Sequence, residues 1–373
     1  MDKIDLQKYA DNIKKTGYVL EYQISRILLD HKWSVINNRY YIDDISNEMR
    51  EIDIIAYRVK EIADVRYYTT LLISSKKSED NNWAFLTKSI NKNDPNLEYY
   101  PLYNWSNNDE LRYMFDNSKW RGNLLDSIEK DDKLSSVFEL NDYLFAFQEM
   151  KKNGATAQND KPIYSSVSSL IKALSYEIKS LNNRVQYSAH YSFHLLSVAD
   201  TDFVKIHFQG NNEIECSEIQ DIKYLNRFIV NSKDDFYRVH FIKFTHFEEI
   251  LKSYDYLFEW DFNFFSQLRE AFKSNLVKDW KKLDYKLSKN SNAFISSIKS
   301  YLPKELAVLA GISELIVVYE QIEQKLRIFI CDNIYVVNFL NENSKVKRVV
   351  KKMLKDYFFY EGEFFFSDDD LPF

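Results

Sequence analysis

Two apolar runs, Arg50-Glu-Ile-Asp53-Ile-Ile-Ala56 and Leu71-Leu-Ile-Ser74-Ser-Lys76-Lys-Ser78, constrain this chain more than any other feature. Each is short, rich in branched apolar residues and interrupted by charge, the pattern of a strand buried on at least one face. Upstream, Leu20, Ile24, Ile27 and Leu28 recur at helical spacing with Gly17 just before them. That stripe predicts an amphipathic helix. Trp33 to Ile42 reads as a further strand and Asp43 to Asn47 as a turn. The opening of the chain therefore predicts one helix and then three strands, over about 33–42, 50–58 and 66–77.

The polar residues set into these elements are those that phosphodiester hydrolysis needs. Carboxylates hold a divalent cation, which activates water and offsets charge on the scissile phosphate. A lysine beside the cation orients the water or stabilises developing charge. Glu21 on the helix, Asp53 on the second strand and Lys76 on the third are the candidates. Positions 74 and 76 share a strand face, so a carboxylate at 74 would complete the set. The residue there is Ser74.

In this order and spacing the residues resemble the PD-(D/E)xK nuclease superfamily, with its restriction-endonuclease-like fold. The likeness is nearest to bacterial members that read G-x-x-x-E, then E-I-D-I-I-A, then L-L-I-E-C-K-K-S. Glu21 falls on the helical acid, Asp53 on the first strand acid and Lys76 on the lysine. Ser74 falls on the family's glutamate and Ser75 on its cysteine. The resemblance implies an α/β protein with an αβββαβ core, a large insertion and a C-terminal α+β extension. It also implies Mg²⁺ or Mn²⁺ on Glu21 and Asp53, and DNA as substrate, in defence against foreign DNA or in repair. Some superfamily enzymes carry S-x-K on the third strand and take the missing acid from the next helix. At the usual distance this chain has Thr87-Lys-Ser89, which leaves Glu79, Asp80 or Glu177 as substitutes. The alternative is a catalytically degenerate module that keeps the fold for binding.

Further along, residues 79–162 read as the insertion, helical near Phe138 to Met150 and closed by a linker over 151–162. Val167, Leu170, Ile171, Leu174 and Ile178 predict a helix, and Tyr191 to Val198 the strand that completes the core. Phe203 to Phe208 follows as a strand, with a turn at 209–212, then strands at Phe228 to Val230 and Tyr237 to Phe244. With six glycines and five prolines, long uninterrupted elements are favoured and a Gly-rich phosphate loop is excluded. The nuclease-like core spans 1–245 in this reading. A C-terminal region spans 246–366, with a helix over Phe247 to Lys273 and strands at Glu314 to Tyr319, Leu326 to Cys331 and Ile334 to Leu340.

The formal charge of −6 argues against a broadly basic nucleic-acid coat, so contact falls to local groups. Lys77 is one. Lys347, Arg348 and Lys351 are others, on a predicted helix whose cations alternate with Val346, Val349, Val350 and Leu354. That helix suits phosphate contact and equally a solvated face over an apolar stripe. His190 and His194 lie four apart, a metal-ligand spacing on a helix, but their surroundings read as strand. No apolar run reaches the ~18 residues that cross a bilayer, and a cytoplasmic protein is expected. The end of the chain, Asp368-Asp369-Asp370-Leu371-Pro372-Phe373, resembles the tip of bacterial single-stranded-DNA-binding proteins. That likeness implies docking on the host proteins that read such a tip.

Overall fold

A computed structural model describes residues 6–43, 46–116, 118–210, 213–274, 276–309, 315–331 and 333–368. The fold is mixed α and β, with mixed sheets. The chain divides into two compact units, residues 1–266 and 267–373.

Unit 1 opens with α1 (Leu6–Ile13) and α2 (Gly17–Asp30), then β1 (Ser34–Ile42), β2 (Met49–Ile62) and β3 (Val65–Lys77). β4 (Asn81–Ser89) and β5 (Tyr103–Ser106) lead to α3 (Asp109–Phe115), α4 (Ser118–Lys130) and α5 (Asp132–Phe138). β6 (Asp142–Lys151), α6 (Lys161–Arg184), β7 (Ala189–Asp200), β8 (Phe203–Phe208) and β9 (Ile214–Ile219) follow. β10 (Asp221–Val230), β11 (Lys233–Lys243) and α7 (Phe247–Ser274) complete the series, α7 running past the boundary after Ser266.

The large sheet runs β1-β2-β3-β7-β11-β10, with β5 added to β7. β1, β2 and β3 are successive antiparallel neighbours, whereas β3 and β7 are parallel, from Arg66↔Ala189 to Lys77↔Asp200. A parallel pair needs a crossover, and α6 supplies it. Pro162 sits in the first turn of α6, and Ile163, Val167, Leu170, Ile171, Leu174 and Leu181 are its buried stripe. Leu72 and Leu195 pack in the same core as those residues. On the other parity of the strands, Thr69 and Ser192 donate to Asp261 of α7 at 2.9 and 2.5 Å. Alternation therefore puts α6 on one face and α7 on the other. α2 buries Leu20, Ile24 and Leu28 at successive turns. β3 is buried almost throughout, the expected state of a strand flanked on both edges and covered on both faces.

Residues 79–162 are built into this unit. β4 pairs with β6 and with β8, giving a second sheet ordered β6-β4-β8-β9. Trp83 stacks on Phe203 at 5.7 Å and meets Phe241 edge-on at 5.9 Å, and its indole N–H donates to buried Glu149. The stretch expected to be helical near Phe138 to Met150 is instead strand β6. Tyr143, Phe145 and Phe147 alternate there, and pairing with β4 across residues distant in sequence decides the outcome. Gly154 takes φ +83° in the turn after β6, where Lys151 N–H donates to Thr156 O.

Unit 2 contains α8 (Trp280–Lys299), α9 (Lys304–Leu309), β12 (Ile316–Glu320), β13 (Lys325–Phe329), α10 (Ile334–Glu342), α11 (Ser344–Phe358) and β14 (Phe364–Ser367). β13 is central in a three-stranded sheet, antiparallel to β12 and parallel to β14. Ile334 to Leu340, read from its β-branched residues as a strand, is helix α10. The Asn333 side chain caps it, accepting from the Tyr335 and Val336 N–H groups, while Val336, Val337 and Leu340 are buried at helical spacing. Among the described residues no helix is long and apolar enough to cross a membrane.

Candidate functional site

The site forms where β2 leaves β3. Their pairing runs from Ile62↔Val65 to Ile54↔Ile73 and stops there, one residue short of Asp53 and Ser74. β3 goes on pairing with β7 as far as Lys77. β1 also passes over Asp53: Asn37 pairs with Ile54 and Arg39 with Ile52, and Asn38 between them is left-handed at φ 53°. Asparagine tolerates that conformation better than most residues. The strands thus part around one carboxylate.

Asp53 bridges the gap with its side chain. Asp53 Oδ2 accepts the backbone N–H of Ser75 at 2.6 Å and the hydroxyl of Ser74 at 3.2 Å, and Lys76 Nζ lies 3.7 Å away. Lys76 Nζ also donates to Ser75 O at 3.1 Å, so the ammonium sits between a carboxylate and a carbonyl. On α2, Glu21 accepts the Ser75 hydroxyl at 3.4 Å. Partial burial, then the nearby Asp53 charge, hold the Glu21 carboxyl above its ordinary value, against a lowering contribution from Ser75. Glu51 adds to the upward shift.

The four residues picked out by spacing are therefore brought together: Glu21, Asp53, Ser74 and Lys76. Ser75 joins them and was missed, because alternation turns its side chain away from the face shared by 74 and 76. Its backbone N–H and hydroxyl nevertheless tie Asp53 to Glu21. The substitute acids stay apart. Glu177 accepts from Arg39 and Arg184 at 2.9 and 2.8 Å, Glu79 pairs with Lys77 at 3.0 Å, and Asp80 is exposed beyond β3. Thr87 to Ser89 lie on β4 in the second sheet.

Hard cations such as Mg²⁺ take oxygen ligands. Glu21 and Asp53 are two oxygen donors that already interact electrostatically, and the recorded bonds of Asp53 use Oδ2 only. Among the described residues no group of three or more His, Cys, Asp or Glu is arranged to hold a metal. Two carboxylates alone would leave a cation there most of its water ligands. Comparison with protein-family models, curated proteins and solved structures gave no match.

The remaining candidates sit on other elements. Lys77 points off the other face of β3, donating to Lys14 O at 2.9 Å as well as pairing with Glu79. Lys347, Arg348 and Lys351 are exposed on α11 of unit 2, above buried Val346, Val350, Leu354 and Phe358. Lys351 lies 3.8 Å from Glu363. His190 and His194 are on strand β7, where burial lowers both to about 3 and keeps them neutral. Asp368 is exposed directly after β14, and Asp369, Asp370, Leu371, Pro372 and Phe373 lie outside the described residues.

Proposed function

We propose that the protein is a metal-dependent, endonuclease-like protein of the PD-(D/E)xK superfamily that acts on DNA. One observation carries this reading: Glu21, Asp53 and Lys76 meet at the point where the second core strand separates from the third. The order α2-β1-β2-β3-α6-β7, with β3 parallel to β7, supports it as the αβββαβ arrangement expected of that fold. Glu21 and Asp53 would hold Mg²⁺ or Mn²⁺. Such a cation, when bound, lowers the pKa of water and offsets charge on a phosphate. Lys76 reaches the same oxygen of Asp53 and supplies a fixed positive charge beside the scissile group. The Ser75 N–H holds the Asp53 carboxylate in place.

The test is DNA cutting by the purified full chain with Mg²⁺ or Mn²⁺. Asp53→Ala and Lys76→Ala should each lower the rate on the order of 10²-fold or more. Cutting that survives Asp53→Ala would remove the assignment.

A second reading is a catalytically silent module that binds nucleic acid, or binds replication and repair proteins through its acidic tip. Ser74 favours it, because a hydroxyl bonded to Asp53 occupies the place of the third carboxylate. DNA binding without cutting in either metal would select this reading over the first.

A further inference from the structure

A concavity opens on the α6 face of the large sheet, toward the C-terminal end of α6, where Glu177 and Arg184 line it. Its volume is about 280 Å³, near the lower end of small-molecule pockets. Ile55 of β2 and Phe193 of β7 give it an apolar floor. Tyr68 of β3 and Tyr191 of β7 stack in parallel along it, with ring centroids 4.1 Å apart and planes within 3°. Thr70 and Ser74 share a face of β3, and their four-residue separation sets the pocket roughly 13 Å along the strand from the carboxylates.

Three polar features are left for an occupant. Thr70 lines the pocket, is 4% exposed, and its hydroxyl has no hydrogen-bond partner. Buried hydroxyls are normally paired, so this enclosed one gains a partner where an occupant brings a polar atom against it. Arg39 and Arg184 both lean on Glu177, Arg39 through Nε and Arg184 through Nη2. Two guanidinium groups against one buried carboxylate leave a net positive charge at the rim. Each also keeps N–H groups beyond the bond to Glu177, and guanidinium groups match phosphate oxygens in geometry.

We infer that this pocket binds a nucleotide, with the base on the tyrosine and phenylalanine walls, a base-edge polar atom on Thr70, and the phosphate on Arg39 and Arg184. A purely apolar ligand would leave the arginines and Thr70 unused. A neutral sugar could pack on the aromatic wall but would leave the positive charge unused. A nucleotide uses all three. The inference does not depend on a metal at Glu21 and Asp53. The nucleotide's source is either a free mononucleotide or one residue of a single strand, whose bases stack readily on aromatic side chains.

The test is calorimetric titration of the full chain, without divalent metal, using 5′-AMP, 5′-UMP, adenosine, inorganic phosphate and a short single-stranded oligodeoxynucleotide. Mononucleotides should bind more tightly than adenosine or phosphate alone. Arg184→Ala should weaken them about tenfold, the loss of a charge-assisted contact. Thr70→Val, which keeps the shape, should weaken them several-fold. Arg184 is exposed enough for its variant to fold, so it carries the test if Thr70→Val does not. Oligonucleotide binding that is tighter than mononucleotide binding and equally sensitive to both variants assigns the ligand to a strand. The reverse order assigns it to the free nucleotide pool. Phosphate binding as well as the nucleotides, no binding by any probe, or affinities unchanged in Arg184→Ala would each overturn the inference.

Discussion

The backbone N–H of Ser75 donates to Asp53 Oδ2 at 2.6 Å, just beyond Ile54 and Ile73, the last paired residues of β2 and β3. A side chain thus replaces the ladder hydrogen bond that the separating strands no longer make. The carboxylate is fixed to the third strand through one oxygen, and the described bonds leave the other to its surroundings. The candidate site is built from this arrangement, with Ser74 next to it.

Ser74 is 1% exposed and paired with Ser197 across the parallel strands. Ser74→Glu should destabilise the metal-free protein, because it adds a buried carboxylate near Asp53 and Glu21. Mn²⁺ should then restore stability more strongly than in the unmodified chain. At a hundredfold excess of metal over its Kd the gain should be about 2.7 kcal/mol. Thermal melts of both proteins with and without Mn²⁺ measure this. A Mn²⁺ response no larger than that of the unmodified chain would show that the three positions do not share a cation.

Glu21 gives a pH dependence of known sign. Its folded-state pKa is raised by burial and by Asp53, so the folded state holds the proton more tightly than the unfolded chain. Stability should therefore fall as pH rises from the ordinary glutamate value through the raised one. Glu21→Gln should abolish that component of the slope in denaturant unfolding curves. Metal affinity should rise over the same window, since only the ionised carboxylate is a ligand.

Asp261 and the buried histidines act in opposite directions. Burial raises Asp261 from 3.8 to about 6, against lowering by the Ser192 and Thr69 hydroxyls. Its ionisation should cost stability as pH rises across that interval, on the order of 3 kcal/mol. Asp261→Asn should remove the loss, because an amide oxygen still accepts from both hydroxyls. Burial lowers His194 to about 3 and His240 to about 4, so both are neutral in the fold. Their contribution is present above 6.5 and is lost as pH falls toward the lowered values. His194→Phe should flatten the acid limb, which urea midpoints across the range would record.

Nucleic-acid contact should show in salt dependence. The log–log slope of affinity against salt should be about −0.9 per phosphate on duplex and −0.7 on single strands. If α11 touches phosphate, Lys347→Ala and Arg348→Ala should each flatten the slope by about one contact. Unchanged slopes would leave α11 as a solvated face over its buried valines.

From Gly17 to Lys77 the elements were legible because their signals are local, whereas helix α1 before them was not read. The stripe of α2 and the runs of β2 and β3 are read within a few residues, and so are the acids they carry. What was not legible depends on distant partners. β6 is a strand because β4 pairs with it, and α10 is a helix because Asn333 caps a run whose composition favours strand. Glu177 has the chemistry of a ligand, but Arg39, far away in the chain, holds it. Ser75 was hidden by its own alternation, since a backbone N–H carries no trace in the residue type.

The parallel pairing of β3 with β7 also sets an order of events during synthesis. Lys77 leaves the ribosome long before its partner Asp200 exists, so β1, β2 and β3 can zip together while one edge of β3 has nothing to pair with. That edge belongs to a strand whose residues from Thr69 to Ser75 are all buried in the finished sheet. Unpaired apolar edges of this kind invite pairing between chains. A nascent chain stalled before β7 would therefore be the aggregation-prone form of this protein, and rapid arrival of α6 and β7 its protection.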